Sequence, residues 1–167
     1  LDQGGLSLPD RDYYLKDSFT NQLGQYREHV QKMFTLLGET PAGAQADAAT
    51  VVDLETALAR ASRTRVELRD PNKNYNKFTD AELTAKTPAL MWKVYFDDMD
   101  LDNPSYEIVG QPEFFDALNQ LIQERPLSDW ETYLRWHLRN SSARFLSSAF
   151  EQENFNFYGK ALSGQPE

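Results

Sequence analysis

The sequence predicts an all-α fold, a multi-helix orthogonal or antiparallel bundle with at most one very short strand pair. Three observations carry that expectation. Apolar residues recur at helical spacing through most of the chain, capping and stop residues bracket those stretches, and strand character is confined to Tyr106-Glu107-Ile108-Val109.

The first stripe is Phe19, Leu23, Tyr26, Val30, Phe34 and Leu37, spaced 4, 3, 4, 4 and 3. It predicts one apolar helix face, with Gln25, Arg27, Glu28, Gln31 and Lys32 mostly on the wet side. Gly38 is a natural stop, and Thr40-Pro41 restarts the chain with a cap and a proline at the first helical position. Val51, Leu54, Leu58 and Ala61 mark a second helix, expected to pack antiparallel to the first across so short a link. Asp70-Pro71-Asn72 breaks the pattern, and Thr79-Asp80-Ala81-Glu82 has capping-box spacing for a short third helix. Thr87-Pro88 opens another, carrying Leu90, Met91, Val94 and Tyr95, before an acidic loop over residues 97–104. After the strand-like segment and Gly110, Phe114, Phe115, Leu118, Leu121 and Ile122 form a helix ended by Pro126. Ser128 and Glu131 make a second capping box ahead of Trp130, Tyr133, Leu134 and His137. A last aromatic-rich helix is expected over residues 143–162, stopping at Gly164. The whole reads as one helical region over residues 1–167, with no internal repeat.

A chain of 167 residues is enough to bury about 70% of its unfolded surface. At 40% hydrophobic, with ten Phe, eight Tyr and three Trp, it has ample core material. Seventeen basic against 26 acidic residues give a net charge of −9, which repels a phosphate backbone and excludes nucleic acid as the expected partner. There is no cysteine, hence no disulfide framework, thiolate metal site or cysteine nucleophile. No stretch predicts a transmembrane segment or a signal peptide. The chain begins at Leu1 without Met and is expected to be part of something longer.

No active site assembles from these residues. The only histidines are His29 and His137, and neither opens a His-Glu-x-x-His helix, so no metal ligands are assigned. His137 falls with Trp130, Leu134 and Ser141, which places it as a packed core histidine. Asp98-Met99-Asp100-Leu101-Asp102 opens like a calcium loop, but Asn103 stands where glycine is needed and Val109 where the closing glutamate belongs. A solvated acidic loop is the reading there. Arg60, Arg63, Arg65 and Arg69 could receive a carboxylate; a helix C-terminus partnered by Glu67 and Asp70 is favoured. Asn140-Ser141-Ser142 has the form of a glycosylation acceptor but lies inside a helix.

One string is distinctive: Gly5-Leu6-Ser7-Leu8-Pro9-Asp10-Arg11-Asp12-Tyr13-Tyr14. Gly5 and Pro9 make a stiff connector, and two adjacent tyrosines bring amphipathic rings to a helix start. The string resembles the Gly-Leu-x-Leu-Pro-x-Arg-Asp-Tyr-Tyr segment of the neprilysin and endothelin-converting-enzyme family of zinc metalloendopeptidases. Tyr75-Asn76-Lys77-Phe78-Thr79, then Trp130 with Tyr133-Leu134-Arg135-Trp136, then Phe157-Tyr158-Gly159-Lys160 through Gly164, resemble further stretches in the family's order. Read as packing, Tyr75 and Trp136 are buried rings, Asn76 a turn-former and Gly164 a helix stop.

The resemblance covers part of the family's helical N-terminal lobe only. It implies a parent peptidase whose zinc and catalytic residues lie in a C-terminal lobe, while this lobe caps the chamber and restricts substrate size. It assigns this fragment no catalytic residue, no metal ligand and no cofactor, and leaves substrate-binding residues undefined. Its expected partners are the catalytic lobe and the parent's peptide substrates. The lack of cysteine implies a bacterial source, and the family favours a periplasmic or extracellular location. Two other readings remain: a self-contained helical module that binds a peptide or protein, and a carboxylate-dependent hydrolase built around Asp100.

Overall fold

A short helix, α1 (Asp12–Leu15), leads through a 3-10 turn into α2 (Thr20–Leu36). A computed structural model describes residues 1–101 and 105–166; part of the acidic loop and of its calcium-like string falls at 102–104, outside the described residues. Along α2 the expected stripe buries Tyr26, Val30 and Phe34, with Leu23 and Leu37 packed beside them. His29 and Met33 are buried as well, widening that face. Gly38 ends the helix at φ +92°, a conformation that side chains with a Cβ resist. Thr40 Oγ1 then accepts from the Gly43 N–H at 3.1 Å and caps α3 (Pro41–Ala61). Val51, Leu54 and Leu58 are buried along it.

The strand pair is β1 (Asn76–Phe78) antiparallel to β2 (Glu107–Val109), with Asn76 opposite Val109 and Phe78 opposite Glu107. Directly after β1, Thr79 caps α4 (Asp80–Lys86) in a reciprocal box. Its hydroxyl accepts from the Glu82 N–H, and the Glu82 carboxylate accepts from the Thr79 N–H at 2.8 Å.

The next helix departs from expectation. Pro88–Leu90 is a 3-10 turn, and Met91 adopts the left-handed conformation at φ +48° before α5 (Trp92–Asp98) begins. That break resets the helical phase. Trp92 and Phe96, four apart, are buried, and Met91, Val94 and Tyr95 are exposed. Burying the two larger rings removes more apolar surface from water than the alternative face would.

Helix α6 (Pro112–Glu124) buries Phe114 and Phe115. Helix α7 (Leu127–Ser142) starts two residues earlier than the expected Ser128 cap implies, so Ser128 lies within its first turn instead of before it. Its buried face is Thr132, Tyr133 and Trp136, not the Trp130–Leu134–Ser141 row. The expected final helix is divided: a 3-10 turn (Ala143–Phe145), then α8 (Ser148–Asn154), which continues as a π-helix over Phe155–Leu162. Leu146 is extended, which breaks the first two. The Gly164 N–H closes onto Lys160 O at 3.0 Å, stopping the last turn where expected.

The described residues form an all-α fold with one two-stranded sheet. They fall into two compact units, one of residues 1–5 with 60–126 and one of residues 6–59 with those from 127 onward. The first is centred on Trp92, whose ring lies 5.6 Å from Phe115 and 5.9 Å from Phe96. The second has its core in Leu8, Tyr14, Tyr26, Phe34, Trp136 and Phe157.

Thr79→Ala removes one half of the capping box and is expected to cost about 1 kcal/mol, with Thr79→Ser near neutral. Urea unfolding of the two variants checks this, and equal midpoints for both would refute it.

Candidate functional site

Val51, Leu54 and Leu58 direct one face of α3 inward, and Glu55 lies on that same face. Its carboxylate is fully buried, at 0% exposure. Oε1 accepts from Ser7 Oγ at 2.7 Å, and Oε2 accepts from the Tyr14 hydroxyl at 2.8 Å. His137 Nε2 stands 3.1 Å from Oε1, close enough for charge pairing though off the hydrogen-bond axis. Trp136 Nε1 donates to Ser7 Oγ at 3.0 Å, and the Leu8 N–H donates to the Tyr14 oxygen at 3.0 Å. Burial first, and the Glu55 charge second, push the Tyr14, Tyr26 and Tyr133 phenols well above their ordinary pKa. They are therefore neutral rings, and Tyr14 donates its hydroxyl to Glu55. No substrate reaches a carboxylate enclosed in this way.

This cluster explains the N-terminal string. Leu8 and Tyr14 are core residues, and Leu6 and Tyr13 pack against that core. Tyr13 also stacks on Phe19 at 4.2 Å. Gly5 has φ +82°, Pro9 is exposed, Arg11 sits just before α1, and Asp12 pairs with Lys16 at 2.6 Å. Further along, Trp136 is buried as expected, and Trp130 packs edge-on to Tyr133 at 5.8 Å. Gly159 carries the Phe155 ring, which an added Cβ would meet at 2.6 Å. Asn76 Nδ2 donates to the carbonyls of Lys73 and Val109 at 3.0 and 2.9 Å, tying the turn to β2. The Lys77 ammonium lies 3.7 Å over the Tyr106 ring.

Two expectations need correction. Tyr75 is not a buried ring; it is 62% exposed, because β1 turns Asn76 inward beside it. His137 is not the packed core histidine: its side chain is 29% exposed, whereas His29 is buried at 1%. His29 sits three residues after Tyr26 and four before Met33, inside the wider α2 face.

The arginine cluster resolves around Arg63. Its guanidinium forms a two-pronged contact with Glu113 and also donates to Lys73 O at 2.8 Å and Gly110 O at 3.0 Å. Its backbone N–H donates to Gln3 Oε1 at 2.6 Å. The carboxylates of Glu67 and Asp70 shape the local chain: Glu67 accepts from the Thr64 N–H and Asp70 from the Asn72 N–H. Asn140 lies in α7 and donates to the Tyr158 hydroxyl at 2.8 Å.

A second polar pair lies between α2 and α8. His29 Nδ1 is 3.0 Å from Glu153 Oε1, and the His29 ring stacks on Phe157 at 4.7 Å. Burial lowers the His29 pKa below its ordinary 6.5, outweighing the pull of Glu153 toward the charged form. Beside the pair opens a groove of about 540 Å³, walled by α2 and by α8 with its continuation.

Each histidine thus sits with one carboxylate, and among the described residues no three His, Asp or Glu side chains converge on a metal position. These residues do not fit a zinc ion.

The helical architecture and the N-terminal string acquire a common context from relatives. The model of the N-terminal part of peptidase family M13 matches residues 1–167. This chain belongs to peptidase family M13. It is similar to an endothelin-converting enzyme homolog of Locusta migratoria, 29% identical over 177 residues that cover 98% of this chain and 24% of the relative. Endothelin-converting enzyme 1 of Homo sapiens is 28% identical over 163 residues, covering 94% and 21%. The zinc metalloprotease Zmp1 of Mycobacterium tuberculosis, solved with an inhibitor, superposes with a TM-score of 0.95 at 30% identity, over 99% of this chain and 26% of that one. The chain spans about a quarter of the length of the M13 relatives it matches.

Glu55 and Glu153 are the polar residues that sequence reasoning missed. Glu55 was detectable, lying four residues after Val51 and three before Leu58 on an apolar face. Glu153 carries no such signal, because its partner lies 124 positions away.

Glu55→Leu strands the Ser7 and Tyr14 hydroxyls and is expected to cost about 3–5 kcal/mol, with Glu55→Gln costing less. Equilibrium unfolding in urea measures both; a loss under about 0.5 kcal/mol for the leucine variant would refute the assignment. The His29 shift sets a pH dependence. A ring that stays neutral when folded but protonates when unfolded removes stability as pH falls through 6.5, and contributes nothing above it. Relative to His29→Gln, the native chain should lose more stability between about pH 7.5 and about pH 5.5. Identical slopes in the two proteins would refute this, and carboxylates that titrate in both cancel in the comparison.

Proposed function

We propose that this chain is a non-catalytic segment of the helical N-terminal lobe of a neprilysin-like zinc metalloendopeptidase. Its role is to wall the substrate chamber and to restrict entry by size. The observation that carries this reading is the match of the M13 N-terminal model to residues 1–167, over a chain about a quarter the length of its relatives. A row of exposed apolar residues on α7 and the following turn, Leu127, Leu134, Leu138 and Phe145, supports it. Leu127, Leu134 and Leu138, spaced 7 and 4, share one face of α7, and Phe145 follows in the turn, which is the character of a surface made to be covered by more protein. Zinc, the general base and the substrate-backbone contacts belong to the C-terminal catalytic lobe of the parent. Absence of cysteine, where eukaryotic members of the family are cysteine-rich, supports a bacterial parent, and the family resemblance favours a peptide-cleaving site outside the cytoplasm.

A second reading, a self-contained module that binds peptides, is favoured by the groove of about 540 Å³ between α2 and α8.

The purified chain is expected to cleave no peptide, with or without added zinc. Mixed with the separately produced remainder of its parent, it should restore zinc-dependent cleavage of short peptides and leave folded proteins uncut. Chelator-sensitive cleavage by the chain alone would refute the proposal. So would a remainder that shows the same size limit without it.

A further inference from the structure

The recess between α2 and α8 holds charges that the fold itself does not neutralise. Its walls are Gln31, Thr35 and Leu36 on one side and Ala149, Gln152 and Asn156 on the other. A smaller recess of about 140 Å³ adjoins it and reaches His29 and Phe157. The two share Glu28, Lys32, Glu153 and Asn156, so Glu153 lies where they meet. Glu153 Oε1 faces His29 Nδ1 at 3.0 Å and Lys32 Nζ at 3.9 Å. Its Oε2 accepts no hydrogen bond among the described residues, and the Glu28 carboxylate on the rim has no partner among them either. Two carboxylates against one ammonium leave the recess negative. Leu36, Ala149 and the Thr35 methyl make part of its wall aliphatic, and Gln31 and Gln152 supply amides. A volume of 540 Å³ lies within the range of about 300–1,000 Å³ typical of small-ligand clefts.

We propose that this groove binds a peptide segment carrying a basic side chain next to an apolar one. The cationic head pairs with Glu28 and Glu153, and the apolar neighbour lies against Leu36 and Ala149. The Gln31 and Gln152 amides meet the peptide backbone. His29 is a positioning residue: held by Phe157, it fixes one oxygen of Glu153 and leaves the other for the ligand. Lys32 opposes the ligand's charge and sets the affinity. That the ligand is a peptide rests on the peptidase reading above, whereas the preference for positive charge rests on the groove alone.

The test uses fluorescence anisotropy of the 167-residue chain with labelled Ala-Leu-Arg-Leu-Ala and with its counterpart bearing Glu in place of Arg. Saturable binding of the Arg peptide is expected, with the Glu peptide at least about tenfold weaker. Glu28→Gln should weaken binding about 2–5-fold, and Lys32→Gln should tighten it by a similar factor. Ala149→Trp fills the groove and should abolish binding. Circular dichroism and the Tm of each variant establish that it is folded. A merely structural role for these exposed residues would not move affinity in opposite directions. Equal affinity for the two peptides, or Glu28 and Lys32 variants that shift binding the same way, would overturn the proposal. The assay involves no cleavage, so its failure and that of the lobe reading are separately visible.

Discussion

A carboxylate taken wholly out of water must recover its solvation from neighbouring donors, and the arrangement around Glu55 is governed by that requirement. Ser7 and Tyr14 donate to it, Trp136 donates to Ser7, and His137 stands at pairing distance. The N-terminal segment, α3 and α7 therefore converge on one acceptor. Hydrophobic packing alone would accept many registers of these three elements, because apolar contact is non-directional. A buried carboxylate with two short, directional bonds accepts very few. Tyr26, Tyr133 and Tyr158 stay neutral around it, since burial and the Glu55 charge both disfavour phenolate.

This gives the family string a physical meaning that involves no catalysis. Leu8 enters the core, Tyr14 reaches Glu55, and Ser7 joins Glu55 to Trp136, so the segment works as a tether. Arg63 plays a comparable part in the other compact unit, where one guanidinium gathers Glu113 and the carbonyls of Lys73 and Gly110, and its backbone N–H takes the side chain of Gln3. Both centres use planar or bidentate polar groups whose geometry leaves little freedom.

Glu153 contrasts with Glu55. Both are acidic residues beside a histidine, but Glu55 has donors on both oxygens, while Glu153 keeps one open toward a groove. A satisfied buried carboxylate rigidifies, and a half-satisfied one at the edge of a cavity is poised to accept a further donor. The same chemical group thus serves architecture in one place and recognition in the other.

Helical periodicity placed α2, α3, α6 and α7 and the stop glycines, because those signals are local. The single strand-like segment was also visible, although β1 was not: three residues of Asn-Lys-Phe carry no pattern until β2 lies beside them. Phase was less secure. The left-handed Met91 rotated α5 so that Trp92 and Phe96 face inward, a choice made by the Phe115 ring that Trp92 packs against. The buried face of α7 shifted for the same reason, exposing Leu134 and half-exposing His137. What the chain by itself determined was its helical class, its kinship and its lack of a zinc motif, all of which reside in neighbouring residues or short strings. What only the tertiary structure decided was the pairing of Glu55 with Ser7 and Tyr14 and of His29 with Glu153, because those bonds join residues tens of positions apart or more, and no local spacing encodes them.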